Sequence, residues 1–194
     1  MNIKLMISGL ALIGATAVTA QENQISLGLD LALPMGDFGD VFSLGVGPAA
    51  GFELPVGDNL GITAQLAYQI LMVKSDFSDF VDKASMIPIQ LGVKYYFQDQ
   101  QEGFYGQAQL GVHMMSSTSP ERTDPGFPPF IPASTIPSET NSSTNFSWAI
   151  GAGYQLEKLD FSLRYNSISP DSDVEGASAS SYLGVRVGYL INLD

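Results

Sequence analysis

The chain has 194 residues, with 20 acidic and eight basic side chains, a formal net charge of −12 and no cysteine. So acidic a balance argues against nucleic acid as a partner and against a basic patch docking on anionic lipid. Without cysteine there is no disulfide framework and no thiolate metal site.

Residues 1–20 read as a secretory signal. Lys4 is its one charge, Leu5–Val18 its apolar core, and Val18-Thr19-Ala20 a small-residue cleavage site before Gln21. Its removal leaves seven basic and 20 acidic residues, a net of −13. The run is too short, and too diluted by Ser, Gly and Thr, for the roughly 20 apolar residues of a spanning helix. No later segment has about 18 consecutive apolar residues either, so a closed barrel is the remaining way to cross a bilayer. Residues 21–194 are read as one barrel domain.

Eight segments of the domain alternate apolar and polar residues, as half-buried strands do. They are Gln24–Leu33, Ser43–Leu54, Leu60–Lys74, Ile87–Gln98, Phe104–Ser116, Asn145–Glu157, Leu159–Ile168 and Ser181–Leu193. The fourth is the clearest. Ile87, Ile89, Leu91, Val93, Tyr95 and Phe97 take one face, and Pro88, Gln90, Gly92, Lys94 and Tyr96 the other. The connections between segments alternate long and short, starting with a long one. In a bacterial membrane barrel short turns face the periplasm and long loops face outside. The predicted fold is therefore all-β: an eight-stranded antiparallel up-and-down transmembrane barrel in the outer membrane, with both termini periplasmic. The third long loop, Ser117–Thr144, carries Pro120, Pro125, Pro128, Pro129, Pro132 and Pro137, and is predicted to be extended or irregular without a sheet ladder.

A soluble ligand-binding barrel of the periplasm also alternates, with its apolar face inward. The polar face decides between the two. It carries only seven charges (Asp30, Glu53, Lys94, Glu157, Asp160, Arg164 and Arg186), and much of the rest is Gly, Ser, Ala, Gln and Tyr. Small residues and amides suit a cramped interior. The apolar face is uninterrupted, as in Leu60, Ile62, Ala64, Leu66, Tyr68, Ile70 and Met72. Lipid demands this, since Lys or Arg at mid-membrane costs about 2–4 kcal/mol. Phe52, Tyr95, Phe97, Phe104 and Phe161 would form one interfacial girdle, and Phe42, Tyr68, Phe146 and Trp148 the other.

Leu33-Pro34-Met35-Gly36-Asp37-Phe38, the ending Gly92-Val93-Lys94-Tyr95-Tyr96-Phe97 and Phe104–Gly111 carry a resemblance that extends over the whole domain. It resembles the small outer-membrane β-barrel domain of Bacteroidota-type bacteria, related in design to OmpA and OmpX. The closing Val187–Leu193 is similar to the terminal strand read by barrel-insertion machinery, although such strands often end in an aromatic and this chain ends in Asp194. The resemblance implies outer-membrane lipid and that machinery as partners, and brings no activity or cofactor.

Candidate chemistry is sparse. Asp30, Lys94, Arg164 and Arg186 are expected near mid-height in the lumen, with Asp30 in reach of Arg186 because first and last strands adjoin. They read as a charge-paired structural plug, since unpaired buried charge is costly. A narrow pore or transporter for small solutes is the alternative. His113, the only histidine, lacks a closely spaced serine partner, because Met115 follows two positions later. No Gly-x-Ser-x-Gly elbow appears, so a lipid-modifying enzyme is disfavoured. The long loops carry Asp37, Asp40, Asp76, Asp79, Asp82, Glu121, Asp124, Asp171, Asp173 and Glu175. Carboxylates suit hard divalent cations, but without a calcium-loop spacing these read as a solvated surface. The expected function is that of a structural or surface-interaction protein, not an enzyme, whose long loops meet any extracellular ligand.

Overall fold

The computed structural model describes residues 22–98, 101–124, 134–170 and 178–193. The signal segment and the acids of 171–175 lie outside them.

Among the described residues eleven strands follow in chain order, with one α-helix, α1, at Gly36–Val41 and one 3-10 turn at Ser75–Phe77. They are β1 Asn23–Met35, β2 Phe42–Gly57, β3 Leu60–Ala67, β4 Gln69–Val73, β5 Lys83–Tyr96, β6 Gly103–Thr118, β7 Arg122–Asp124, β8 Ser134–Ile136, β9 Thr140–Leu156, β10 Leu159–Ile168 and β11 Ser180–Leu193. β3 and β4 act as one strand, so β1, β2, β3/β4, β5, β6, β9, β10 and β11 form eight antiparallel staves. The sheet closes because β1 pairs with both β2 and β11. Closure gives every stave a hydrogen-bonded neighbour on both sides, which hydrocarbon demands.

The third predicted strand is interrupted at Tyr68 for a chemical reason. Tyr68 N–H donates to Pro48 O at 3.0 Å, but Pro48 has no N–H to return the bond. On the other side β3 pairs with β5 up to Leu66–Ile89, and β4 resumes at Gln69–Met86, leaving Pro88 at the gap. Two prolines on flanking strands thus break one ladder.

Alternation sorts the side chains as the pleat requires. Leu29, Ile70, Leu91, Leu110, Ile150 and Leu163 are more than half exposed on the outer face, while Gln90, Lys94, Tyr96, Tyr105, Gln109 and Arg186 are buried inside. Phe52, Tyr95, Phe97, Phe104, Tyr154 and Phe161 ring the short-turn end, and Tyr68, Phe146 and Trp148 lie towards the long-loop end. Phe42 does not join the outer ring. It is 8% exposed and packs edge-on to Phe38 at 5.1 Å, inside the barrel mouth. The short helix α1, entered at Gly36 with φ +57°, folds this segment inward.

The described flanks of the proline-rich loop are paired where its composition predicts no ladder. The β6–β9 ladder climbs to Thr118–Thr140, and beyond it Arg122–Asp124 pairs with Ser134–Ile136. Pro120 and Pro137 fall in the gap between these two ladders, where no ladder donor is lost. The other four prolines of this loop lie outside the described residues.

The lumen and its plugs

The barrel interior is the candidate site, and its contents follow from the inward faces of the staves. Two charge clusters occupy it. In the first, Asp30 faces Arg186 directly in the β1–β11 register. Arg186 Nη2 donates to Asp30 Oδ2 at 2.8 Å while its Nε bonds the other carboxylate oxygen, a bidentate pair. From β10, Arg164 Nη2 reaches Asp30 Oδ2 at 2.9 Å and its Nη1 donates to Gln65 at 2.7 Å. One carboxylate holds two guanidinium groups.

Lys94 does not join this cluster. It lies nearer the short turns, 2.8 Å from Asp160 Oδ2 and 3.0 Å from Glu53 Oε2. Its ammonium sits 4.3 Å from the centre of the Tyr105 ring, and Tyr105 Oη donates to Asp160. The expected set of four charges is therefore two clusters. The acids that complete the second, Glu53 and Asp160, are on the predicted polar face, and the signal for them is Lys94, the one inward charge of β5, which needs a carboxylate of its own. Glu157, the seventh charge of that face, is exposed in the β9–β10 turn at φ +45°. Three acids and three bases remain buried, and their formal charges cancel.

Close packing of such large groups needs glycine opposite them. A Cβ at Gly151 would lie 2.8 Å from Arg164 Cγ, and one at Gly153 would enter the Tyr105 ring. The base of the lumen is closed by side chains. Tyr96 Oη donates to Glu53 at 2.7 Å and lies 2.9 Å from Gln155, which donates on to Gln24 at 3.0 Å. Gln101, from the β5–β6 turn, reaches in to donate to Glu53 at 3.1 Å. The cavity beside Lys94, Glu53 and Asp160 is about 10 Å³, on the order of a single water. Above mid-height, Gln90 donates to Asn166 at 3.3 Å, and His113 Nε2 lies 2.8 Å from Tyr182 Oη. The mouth is apolar: Phe38, Phe42, Leu71, Met86, Ile168 and Tyr182 meet there. No sequence signal marked this plug, because Phe38 and Phe42 belong to a predicted loop and girdle.

Among the described residues no group of three or more His, Asp or Glu side chains is placed to hold a metal ion. Some buried polar atoms have no protein partner: both amide atoms of Gln107 and of Gln109, Ser147 Oγ and His113 Nδ1.

A closed eight-stave barrel with an apolar exterior and a neutralised polar interior is the build of a small outer-membrane protein. The chain belongs to the family described as outer membrane protein beta-barrel domain, which it matches over residues 7–189. It therefore sits in membrane lipid. Among solved structures it is similar to Ail of Yersinia pestis (15% identity, TM-score 0.58), covering 88% of this chain and 99% of that one. Ail has also been solved with the heparin analogue sucrose octasulfate. Neisserial surface protein A matches at 13% identity and TM-score 0.54, over 88% of this chain and 97% of that one. The N-terminal barrel of Pseudomonas aeruginosa OprF matches at 12% and 0.52, over 88% and 98%. At such identities these likenesses show the fold alone. No curated protein matches the chain significantly.

Proposed function

We propose that the protein is a sealed outer-membrane scaffold that displays its long loops outside the cell and catalyses no reaction. The observation that carries this reading is the plugging of the lumen at both ends. Phe38, Phe42 and Leu71 fill the mouth, and Tyr96, Glu53, Gln155 and Gln101 interlock at the base. Six mutually paired charges lie between, where free ions would have to break buried salt bridges. His113 is bonded to a tyrosine, which gives a serine nucleophile no base. Recognition then belongs to the loops. Ail was crystallised with a polyanion, but the described loops of this chain carry Asp37, Asp40, Asp76, Asp79, Asp82, Glu121 and Asp124, which favour a cationic or hydroxyl-rich partner. β11 would present Val187–Leu193 to the insertion machinery, and Asn23, paired with Leu193, places both ends at the short-turn side, which we assign to the periplasm.

Single-channel recording of the refolded protein in planar bilayers tests the seal. Insertion without steady unitary current is expected, and reproducible steps would overturn it. One observation favours the narrow-pore alternative: the unpartnered Gln107, Gln109 and Ser147 atoms would accept water along the β6–β9 wall. Orientation is tested separately. The chain has no cysteine, so Ser78→Cys in a long loop should react with a membrane-impermeant maleimide on intact cells, and Lys158→Cys in a short turn should not.

A further inference from the structure

The outward rows of β5, β6 and β9 change chemistry at one height. Ile89, Val112 and Phe146 form an apolar row across the three strands. Two rows higher, Ser85, Ser116 and Ser142 stand side by side, and above them Lys83, Thr118 and Thr140. Ser142 Oγ donates to Ser116 at 3.3 Å, and the Thr118 and Thr140 hydroxyls are 3.0 Å apart. This hydroxyl ladder marks the level where hydrocarbon gives way to headgroups.

The neighbouring strand does not follow suit. Ile70 on β4 stands opposite Ser85, with Tyr68 below it. β4 then leaves the ladder after Leu71–Ala84, while β5 and β6 stay paired as far as Lys83–Thr118. The parting opens an outward groove of about 270 Å³, lined by Tyr68, Ile70, Lys83, Ser85, Ser116 and Thr118, with Asp82 at its rim. Its lower half is apolar and its upper half is hydroxyl, ammonium and carboxylate. A groove of about 490 Å³ beside Leu91, Leu110, Trp148 and Ile150 shows no such division and suits acyl chains alone.

One exposed cation lines the groove. Of the seven basic residues beyond the signal segment, three are in the lumen and Lys158 is in a short turn. Lys74, Lys83 and Arg122 remain, set among Asp76, Asp79, Asp82, Glu121 and Asp124 of the second and third long loops, and of these three only Lys83 lines the groove. Arg122 stacks over Phe80 at 5.2 Å and donates to Asp79 O, tying the third long loop to the second. The Lys83 side chain is 81% exposed, and its nearest carboxylate, Asp82, is 3.9 Å away. This exposed ion pair is loose and solvent-screened, so Lys83 can turn to meet an anion.

We propose that this groove binds the headgroup of a phosphorylated glycolipid from the surrounding leaflet. The sugar lies on the hydroxyl ladder and Asp82, the phosphate on Lys83, and the first methylenes run along Ile70 and Tyr68. Several hydroxyls and a carboxylate match the free hydroxyl and amide N–H groups of an acylated amino sugar, which an ethanolamine headgroup lacks. The assignment rests on the orientation proposed above, since it needs the long loops on the glycolipid side.

The test uses the full chain folded in detergent. It is incubated with the phosphorylated, acylated disaccharide anchor of lipopolysaccharide or with phosphatidylethanolamine, and adducts are counted by native mass spectrometry. One glycolipid adduct is expected on the unaltered protein and on the distant control Lys158→Ala. Lys83→Ala, by the loss of one charge-assisted contact, and Ser85→Leu, by filling the groove, should each weaken it about tenfold. Heat-modifiable gel migration verifies that both variants fold. Unchanged retention in both variants, or equal retention of phosphatidylethanolamine, would overturn the assignment. Binding in detergent is independent of orientation, so a failure here is distinct from a failure of the cysteine-labelling test.

Discussion

Asp30 is the one carboxylate among the described residues that neutralises both buried guanidinium groups. Its carboxylate accepts from Arg164 and Arg186, so one substitution strands two buried cations. Asp30→Ala should therefore destabilise the barrel by about 3–5 kcal/mol, the range for removing one partner of a buried pair. Urea unfolding of the refolded protein, followed by loss of heat-modifiable migration, measures this. Lys94→Met should behave similarly, because Glu53 and Asp160 would face each other uncompensated. The exposed Lys158→Ala should change stability by less than about 0.5 kcal/mol. Asp30 opposite Arg186 was legible from closure alone, since the first and last strands of a barrel must adjoin. The bond from Arg164 was not, because it passes over β11 at Gly184 to a stave with which β10 shares no register.

At the scale of elements, the exterior of each stave is set by lipid and its height by where the apolar run ends. Leu91 and Leu110 are register partners at the middle of β5 and β6, each more than half exposed. Leu91→Arg should cost about 2–4 kcal/mol in a bilayer, and its equilibrium unfolding from vesicles checks the figure. The third long loop is an appendage to the β6–β9 ladder. Replacing residues 119–139 with a tight turn should leave the barrel folded, because pairing below Thr118–Thr140 satisfies the backbone without it. Circular dichroism and gel migration of that deletion decide the point. The eight staves were legible because a period of two survives along each of them. The break at Tyr68 was not, since its cause lies in Pro48 and Pro88 on neighbouring strands. The β7–β8 pairing was hidden by a proline count that ignored where each proline falls.

For the whole molecule, two plugs of different chemistry act in series. Opening one should not make a channel. Phe38→Ala with Phe42→Ala removes the apolar mouth but leaves Tyr96, Glu53, Gln155 and Gln101 locked at the base. This double variant should remain electrically silent in planar bilayers. Adding Tyr96→Ala loosens the base but leaves the paired charges between, so steady unitary current should appear only when Lys94→Ala and Arg164→Ala are added as well; current from the double variant alone would show that neither the base nor the charge clusters seal.

Sequence alone determined the stave count, the inward and outward faces, the alternation of short and long connections and the family. Each of these depends on local periodicity or on the chemistry of one residue against lipid or lumen, and both are written along the chain. Tertiary structure decided which charges pair, that Phe38 and Phe42 turn inward as a mouth plug, and that Gln101 closes the base. It also decided that a groove opens where β4 parts from β5. These features join residues tens of positions apart across a lumen or a seam, so their energies depend on shear, curvature and side-chain reach that no single strand encodes.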